Sequence, residues 1–220
     1  MFSFIRKPTN IFKAITVAMS LVFIQNSAIA QLSNSDQFLK AVEDREAEKA
    51  TQLIDEGWVN TKQRVTGRTG LHILVDRRDT LWLRFLLQRK ARPNVKDRDG
   101  VSPIMRSVEL NYIEGVELLL RYKANVDYTN RSGETPLIKA VLLDRKELVG
   151  ILLEAGADPD RTDNLQGLSA REYASRDPRA SELLAIINKF EADKKAEAEK
   201  KNNGKNKGLD FSGVSGPTLE

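Results

Sequence analysis

The sequence has no cysteine and a single histidine among its 220 residues. Without cysteine the chain has no disulfides, no thiolate nucleophile, no cysteine-ligated metal and no lipidated cysteine. With His72 as the only imidazole, there is no second histidine for a histidine-based metal site. The remaining acids are scattered and do not assemble a nucleophile–base pair or a metal triad. The sequence therefore argues against an enzyme and predicts a fold held by packing alone, without cofactors or metals.

Net charge is also small once the amino terminus is set aside. The whole chain has 35 Lys and Arg against 31 Asp and Glu. Residues 1–30 contribute three basic residues and no acidic one, and residues 31–187 contain 25 of each sign. Because nucleic-acid binding depends on net positive surface, this balance predicts no nucleic-acid partner.

The first 30 residues have the form of a secretory signal peptide. Arg6, Lys7 and Lys13 precede an apolar run over residues 14–24, and Ala28-Ile29-Ala30 forms a small-residue cleavage site. The run is eleven residues long, whereas a helix needs about 20 to cross a bilayer. Cleavage after Ala30 is therefore favoured over a retained anchor. Export to the periplasm of a bacterium is expected, with secretion beyond it as the less favoured destination.

The segment from Gly133 to Asp158 is the clearest copy of a recurring pattern. Gly133 suits a tight turn, Thr135 is placed as a helix cap, and Pro136 fits the first helical turn. A second, almost wholly apolar helix is predicted over residues 148–153, with Gly156 as its left-handed cap. The pattern thus encodes a turn, a helix, a second turn and a second helix.

The same pattern recurs at a nearly constant spacing. Gly67, Gly100 and Gly133 are 33 residues apart, and Gly167 follows after 34. This period, together with the turn chemistry and the Leu-Leu pair of each second helix, resembles the ankyrin repeat over residues 35–187. The resemblance implies an all-α ankyrin-repeat solenoid of about five helix-turn-helix units with capping repeats at both ends. Three positions depart from the family pattern: Gly70 replaces the proline, and Lys90 and Lys123 replace the capping glycine.

The repeat pattern divides the chain into eight segments. We expect a signal peptide (1–30), an amino-terminal capping repeat (31–60), three ankyrin repeats (61–94, 95–127 and 128–160) and a carboxy-terminal capping repeat (161–187). A polar helical extension rich in Lys, Glu and Ala follows (188–201), and then a disordered tail (202–220).

The resemblance also implies where a partner binds, because the turn tips and the exposed side of each first helix form a shared concave surface in stacked repeats. The candidate positions combine arginines at the tips with an apolar stripe beside them, a composition typical of protein-binding sites. They are Arg68, Arg77, Arg98, Val101, Leu110, Arg131, Glu134, Leu142 and Leu143. The alternative is that Arg98 and Arg131 pair with acids in adjacent turns and that the leucines pack between helices.

Three other features have a structural interpretation that outweighs a functional one. Trp82 lies among apolar residues of a second helix and is expected to be buried. His72 is expected to form hydrogen bonds within its turn. The aspartates at 158, 160 and 163 lack the pattern of a calcium loop, so we expect turn and cap roles.

The function expected from the sequence is a monomeric, non-catalytic adaptor that binds an unidentified protein on its concave face. One alternative is an envelope tether, in which membrane contact is limited to the basic carboxy-terminal tail. A repeat-based enzyme is the less favoured alternative.

Overall fold

The computed structural model describes the backbone of residues 33–206 and the side chains of residues 33–200. The signal peptide expected at 1–30 and residues 207–220 of the expected tail lie outside the described residues. Ten α-helices and two short 3-10 helices form within this range, which contains no β-strand. The prediction of an all-α chain built from about five helix pairs is confirmed.

The helices follow one another in pairs. The α-helices are α1 (Asn34–Asp44), α2 (Ala47–Asp55), α3 (Gly70–Asp76), α4 (Thr80–Gln88), α5 (Pro103–Glu109), α6 (Ile113–Arg121), α7 (Pro136–Leu142), α8 (Lys146–Glu154), α9 (Ala170–Arg176) and α10 (Ser181–Asn206). The two 3-10 helices are Trp58–Asn60 and Pro178–Ala180.

The chain divides into two compact units, an amino-terminal unit that ends at Arg92 and a carboxy-terminal unit that begins at Pro93. In the amino-terminal unit, α1 packs on α2 and on α3, and α3 packs on α4. Phe38, Leu74, Leu83 and Leu86 are fully buried there. Trp82 is only 8% exposed, which confirms the prediction of burial.

In the carboxy-terminal unit, the first helices of successive repeats pack side by side. Helix α7 packs on both α5 and α9, while α5, α7 and α9 pack on their own partners α6, α8 and α10. Ile104, Leu119, Leu137, Ile138 and Leu152 are fully buried between these helices. Each repeat therefore covers apolar surface that its neighbour leaves exposed.

Side-chain caps start the first helix of each repeat from α3 onward. Thr135 accepts a hydrogen bond from the backbone N–H of Ile138 at 3.1 Å, and Pro136 occupies the first turn. In α3 the cap is reciprocal, because His72 Nδ1 lies 2.9 Å from the Thr69 hydroxyl and accepts from the Thr69 backbone N–H at 3.1 Å. His72 is 1% exposed. The expected structural role of this histidine is confirmed.

The second helices end in left-handed residues, as the pattern predicts. Gly156 has φ 92°, and its equivalents Lys90 and Lys123 both have φ 66°. A non-glycine residue in this region costs about 1–2 kcal/mol relative to the right-handed one. The helix caps at Lys90 and Lys123 are therefore strained.

Gly70 has a packing role that the sequence did not reveal. A Cβ placed on it would lie 2.9 Å from Leu86 Cδ1 and 3.6 Å from Phe38 Cε1. The missing side chain thus lets α3 approach α1 and α4 closely at the position where Pro103 and Pro136 start the first helices of the next two repeats.

Helix α10 is longer than expected. It begins in the last repeat, where Leu183 and Ile187 are buried, and continues to Asn206, beyond the end expected at residue 201. From residue 192 to residue 200 every side chain is exposed. Repeat-like packing therefore supports only the first part of this helix, and residues 202–206 are helical rather than part of the expected tail.

Candidate functional site

One polar side chain organises each turn of the carboxy-terminal unit. Asp97 Oδ1 accepts hydrogen bonds from the backbone N–H groups of Asp99 and Val101 at 2.9 and 2.8 Å. Asn130 Oδ1 repeats this arrangement 33 residues later, with two bonds of 3.0 Å. Val101 is therefore fixed through its backbone. The equal spacing of Asp97, Asn130 and Asp163 is the sequence signal that identifies these turn residues.

Asp163 is the most enclosed of these turn residues, at 4% exposure. Its carboxylate accepts hydrogen bonds from the backbone N–H groups of residues 166 and 167 and, at 2.5 Å, from the phenol of Tyr173. Burial alone raises the pKa of Asp163, but these donors outweigh it and the pKa lies below its ordinary value. Burial and the bond to Asp163 raise the pKa of Tyr173 to about 12. The expected turn role of Asp163 is confirmed.

Arg98 and Arg131 lie exposed on turns of the carboxy-terminal unit. The guanidinium of Arg131 is 3.9 Å from Asp99, and both side chains are more than 70% exposed. An ion pair this long and this solvated contributes little to stability. Arg131 therefore remains accessible although it has an acidic neighbour of the kind that the alternative interpretation proposed.

Glu134 is far less accessible than its position in the repeat suggests. It accepts hydrogen bonds from Lys139 Nζ at 2.9 Å and from the Asn130 amide at 2.6 Å. Its side chain is 13% exposed. These contacts tie the turn to the first helical turns of α7, so Glu134 supports the surface rather than forming it.

Arg68 and Arg77 belong to the amino-terminal unit, and both are engaged in ion pairs. Arg68 binds the carboxylate of Asp76 and donates to the backbone carbonyl of His72 at 3.2 Å. Arg77 pairs with Glu43 of the preceding repeat at 3.2 Å. Both arginines therefore stabilise the fold of this unit.

The end of α7 is where the carboxy-terminal unit exposes apolar side chains next to open space. Leu142 is 46% exposed and Leu143 is 38% exposed. Leu110, which follows α5, is half-buried. Two leucines of the expected stripe are thus accessible together, and the third is partly covered.

Two clefts border these leucines. One, of about 400 Å³, is lined by residues 141–144 and by Asp177, Arg179, Ala180 and Leu183. The other, of about 350 Å³, lies on the side of Leu142 that faces Leu168 and Tyr173. Each is large enough for one or two side chains of a partner. The sequence did not reveal the contribution of residues 177–180, although the Asp-Pro pair at 177–178 signals a break in the repeat.

The rim of the first cleft carries the ion pair of Asp177 and Arg179. Asp177 accepts hydrogen bonds from the Arg179 guanidinium at 3.0 and 3.1 Å and from the Arg179 backbone N–H at 2.9 Å. These bonds hold the pKa of Asp177 below its ordinary value. An apolar centre bordered by charges is the usual anatomy of a protein-binding surface.

Neither a metal-binding cluster nor a membrane-spanning helix is found among the described residues. Within residues 33–200, no group of three or more His, Asp or Glu side chains is arranged to hold a metal ion. The described helices also include none that is both long enough and apolar enough to span a bilayer.

The family follows from the sequence match as well as from the fold. The family model described as ankyrin repeats (3 copies) matches residues 38–130 and again residues 71–163. The chain belongs to the ankyrin-repeat family. Ankyrin repeats are generally non-catalytic modules that bind protein partners. The match covers the turns that carry Arg98 and Arg131 and the whole of α7.

Proposed function

We propose that this ankyrin-repeat protein is an exported, non-catalytic adaptor that binds a protein partner around Leu142 and Leu143. The observation that carries the proposal is the exposure of these adjacent leucines beside two clefts at the end of α7. Most leucines of the repeats are buried, so this pair marks an apolar surface that the described residues of the carboxy-terminal unit leave partly exposed.

The remaining predicted positions contribute to different degrees. Arg98, Val101 and Arg131 lie on the turns of the same unit, and the two arginines extend the surface with positive charge. Leu110 adds a partly covered apolar contact. Glu134, Arg68 and Arg77 act indirectly, through the ion pairs that hold their turns and helices.

The proposal is tested with Leu142→Asp. The aspartate lacks the apolar contact of the leucine and places a desolvated carboxylate in the interface. The affinity for the partner should therefore fall at least about 30-fold, which corresponds to the loss of about 2 kcal/mol expected of a hot-spot residue. Leu165→Asp is the matched control, because Leu165 is 71% exposed in the same unit but borders neither cleft. Both variants should melt within a few degrees of the unchanged protein, as followed by circular dichroism.

A photo-crosslinking amino acid at position 142 identifies the partner, with position 165 as the control. The proposal predicts a protein that crosslinks at 142, does not crosslink at 165, and is lost from affinity capture by Leu142→Asp. If Leu142→Asp captures the same proteins as Leu165→Asp, the end of α7 is not the binding surface.

Export is the second part of the proposal. It rests on the basic residues, the short apolar run and the Ala28-Ile29-Ala30 site of the amino terminus. The intact mass of the protein isolated from cells should correspond to a chain that begins at Gln31, in the periplasmic fraction. A cytoplasmic protein that retains Met1 would contradict it.

A further inference from the structure

The balanced charge of the repeats as a whole conceals a strong segregation between them. Residues 61–94 contain nine Lys and Arg against two Asp, a net charge of +7. The preceding repeat, residues 31–60, contains three basic against seven acidic residues, a net charge of −4. The other three repeats have net charges between −2 and zero. One repeat therefore has the electrostatic character of a binding surface for an anion.

Part of this positive charge is neutralised inside the amino-terminal unit. Arg77 pairs with Glu43 of the preceding repeat at 3.2 Å, whereas the acid Asp79 is itself engaged by Arg45 of that repeat and neutralises no cation here. Among the described residues, however, no ion pair with an acid engages Arg84, Lys90 or Arg92. All three side chains are exposed.

Helix α4 carries the centre of this basic surface. One side of the helix is buried through Trp82, Leu83, Leu86 and Leu87. The opposite side presents Leu81, Arg84 and Gln88 to solvent at helical spacing, and Leu81 is 74% exposed. A leucine that is exposed to this extent gains free energy if it enters an apolar environment.

Aromatic contacts connect the buried side of α4 to Arg89. The rings of Trp82 and Phe85 meet edge to face with centroids 5.4 Å apart. The guanidinium of Arg89 lies 5.2 Å from the centroid of the Phe85 ring. Arg89 is also 3.9 Å from Asp55, a distance too long for a strong pair. The basic side chains are presented on a helix whose other side is packed.

The arrangement of polar and apolar groups distinguishes between anionic partners. Protein interfaces concentrate apolar residues at their centre and are depleted of charged residues there, whereas the exposed side of α4 offers a single leucine, with Arg84 three residues on and Lys90 and Arg92 just beyond the end of the helix. A nucleic acid gives the exposed leucine no favourable environment, because its outer surface is the phosphate backbone. An anionic lipid surface suits both kinds of group, because cations bind its headgroups and an apolar side chain enters the boundary between headgroups and acyl chains.

We propose that Leu81 and Arg84 of α4, with Lys90 and Arg92, form a docking surface for the anionic phospholipid headgroups of a membrane. The cations contact the phosphates while Leu81 enters the boundary between headgroups and acyl chains. This surface lies in the amino-terminal unit and does not depend on the protein-binding surface proposed at α7.

The carboxy-terminal extension is a poorer candidate for this contact. Residues 188–201 contain five Lys against four Asp and Glu, and the acids are interleaved with the lysines. Attraction to an anionic surface depends on the excess of positive charge near it. The membrane contact expected from the tail is therefore reassigned to the repeat at residues 61–94.

Binding to vesicles tests the proposal with residues 31–220, which include every residue that the structure describes. The omitted segment contains the apolar run of residues 14–24, which would itself enter lipid. The protein should bind vesicles of phosphatidylglycerol and phosphatidylethanolamine and not vesicles of phosphatidylcholine. Binding should weaken as salt is added, because salt screens the attraction.

Two variants separate the charge from the apolar contribution. Each basic residue near such a surface contributes about fivefold to partitioning, so Arg84→Gln with Arg92→Gln should weaken binding about 25-fold. Leu81→Ser should weaken vesicle binding about tenfold, because serine lacks the apolar surface that leucine transfers from water into the lipid. Lys194→Gln with Lys195→Gln on α10 removes the same charge elsewhere and should change binding less than twofold.

Three outcomes overturn the proposal: equal binding by the unchanged protein and the arginine double variant, an equal loss for the α10 control, or no binding to anionic vesicles at all. If an acidic protein or double-stranded DNA binds with this dependence on Arg84 and Arg92 while anionic vesicles do not, the surface belongs to that class of partner. Circular dichroism melts that match the unchanged protein show that each variant is folded.

Discussion

Gly133 lies directly against Asn164 of the next turn. A Cβ placed on the glycine would lie 2.6 Å from the side-chain amide carbon of Asn164 and 2.7 Å from its backbone nitrogen. The Asn164 N–H also donates to the carbonyl of Ser132 at 2.8 Å. This contact sets the distance between two successive turns, and it leaves no room for a side chain at residue 133.

Gly133→Ala should therefore destabilise the protein by about 2–4 kcal/mol. Alanine is strained in the left-handed backbone conformation, and its Cβ clashes with the backbone and side chain of Asn164. The control is Gly167→Ala, because Gly167 also has positive φ, at 65°, but a Cβ there would meet nothing within 4 Å. The control should lose only about 1 kcal/mol, from backbone strain. Urea unfolding measures both values, and equal losses would exclude the contact with Asn164 as the cause.

Two glycines within second helices should respond to alanine in opposite directions. A Cβ on Gly115 would lie 2.2 Å from the ring of Tyr112, which is 3% exposed, whereas a Cβ on Gly150 would meet nothing within 4 Å. Gly150→Ala should stabilise the protein by about 0.5–1 kcal/mol through helix propensity. Gly115→Ala should destabilise it by about 1–3 kcal/mol, because the tyrosine ring must move. Denaturation midpoints that shift in the same direction for both variants would contradict this prediction.

Lys123→Gly should stabilise the protein by about 1 kcal/mol. Lys123 has φ 66° after α6, and glycine adopts this conformation without the steric cost that a side chain imposes. Lys123→Ala serves as the control, since it removes the charge and keeps the Cβ. If alanine raises the free energy of unfolding as much as glycine does, the gain comes from the lost charge and not from relief of strain.

The bond between Tyr173 and Asp163 should make stability depend on pH at the alkaline end. The pKa of Tyr173 is raised from 10.0 to about 12 by burial and by the bond to Asp163. Because the folded pKa exceeds the unfolded one, this contribution is complete below pH 10 and is lost as the pH rises from 10 through about 12.

Tyr173→Phe removes this dependence. The variant should be about 1 kcal/mol less stable than the unchanged protein below pH 10, and the difference should shrink towards pH 12. Urea unfolding at both ends of this window measures it, with Tyr122→Phe as the control for losing a phenol elsewhere. A difference that does not change with pH would show that the hydroxyl makes no ionisation-linked contribution.

Local chemistry made much of the fold predictable. The Thr135 cap, Pro136 and the left-handed Gly156 each act over a few residues, so their roles could be inferred from spacing alone. The strained caps at Lys90 and Lys123 followed from the same repeat alignment, because equivalent positions share a backbone conformation.

The accessibility of the candidate residues was less predictable, because it depends on which side-chain partner each residue meets, within its own repeat or in the preceding one. Glu134 forms an ion pair with Lys139, Arg77 with Glu43 and Arg68 with Asp76. Repeat alignment locates such side chains at a turn or a helix end, but it does not say which neighbour they meet. The clefts beside Leu142 are lined jointly by the end of α7 and by residues of the last repeat, including Asp177 and Ala180, so no single repeat encodes them.

Charge segregation was missed for a different reason. Counting residues 31–187 together gave equal numbers of each sign, although one repeat holds nine of the 25 basic residues. In a chain built from repeats, charge has to be counted over the period of the structure, since each repeat presents its own surface.

Side-chain oxygens that follow one second helix accept hydrogen bonds from the backbone that follows the next second helix. Asn94 accepts from the backbone N–H of Asn125 at 2.7 Å, and Asp127 accepts from Asp158 at 3.1 Å, both across 31 residues. Removing residues 95–127 would leave Asn94 again 31 residues from the donor at Asp158. These hydrogen bonds are equivalent from repeat to repeat. Whole repeats can therefore be lost or duplicated during evolution without leaving a backbone donor unpaired, provided that the segment removed or added has the length of one repeat.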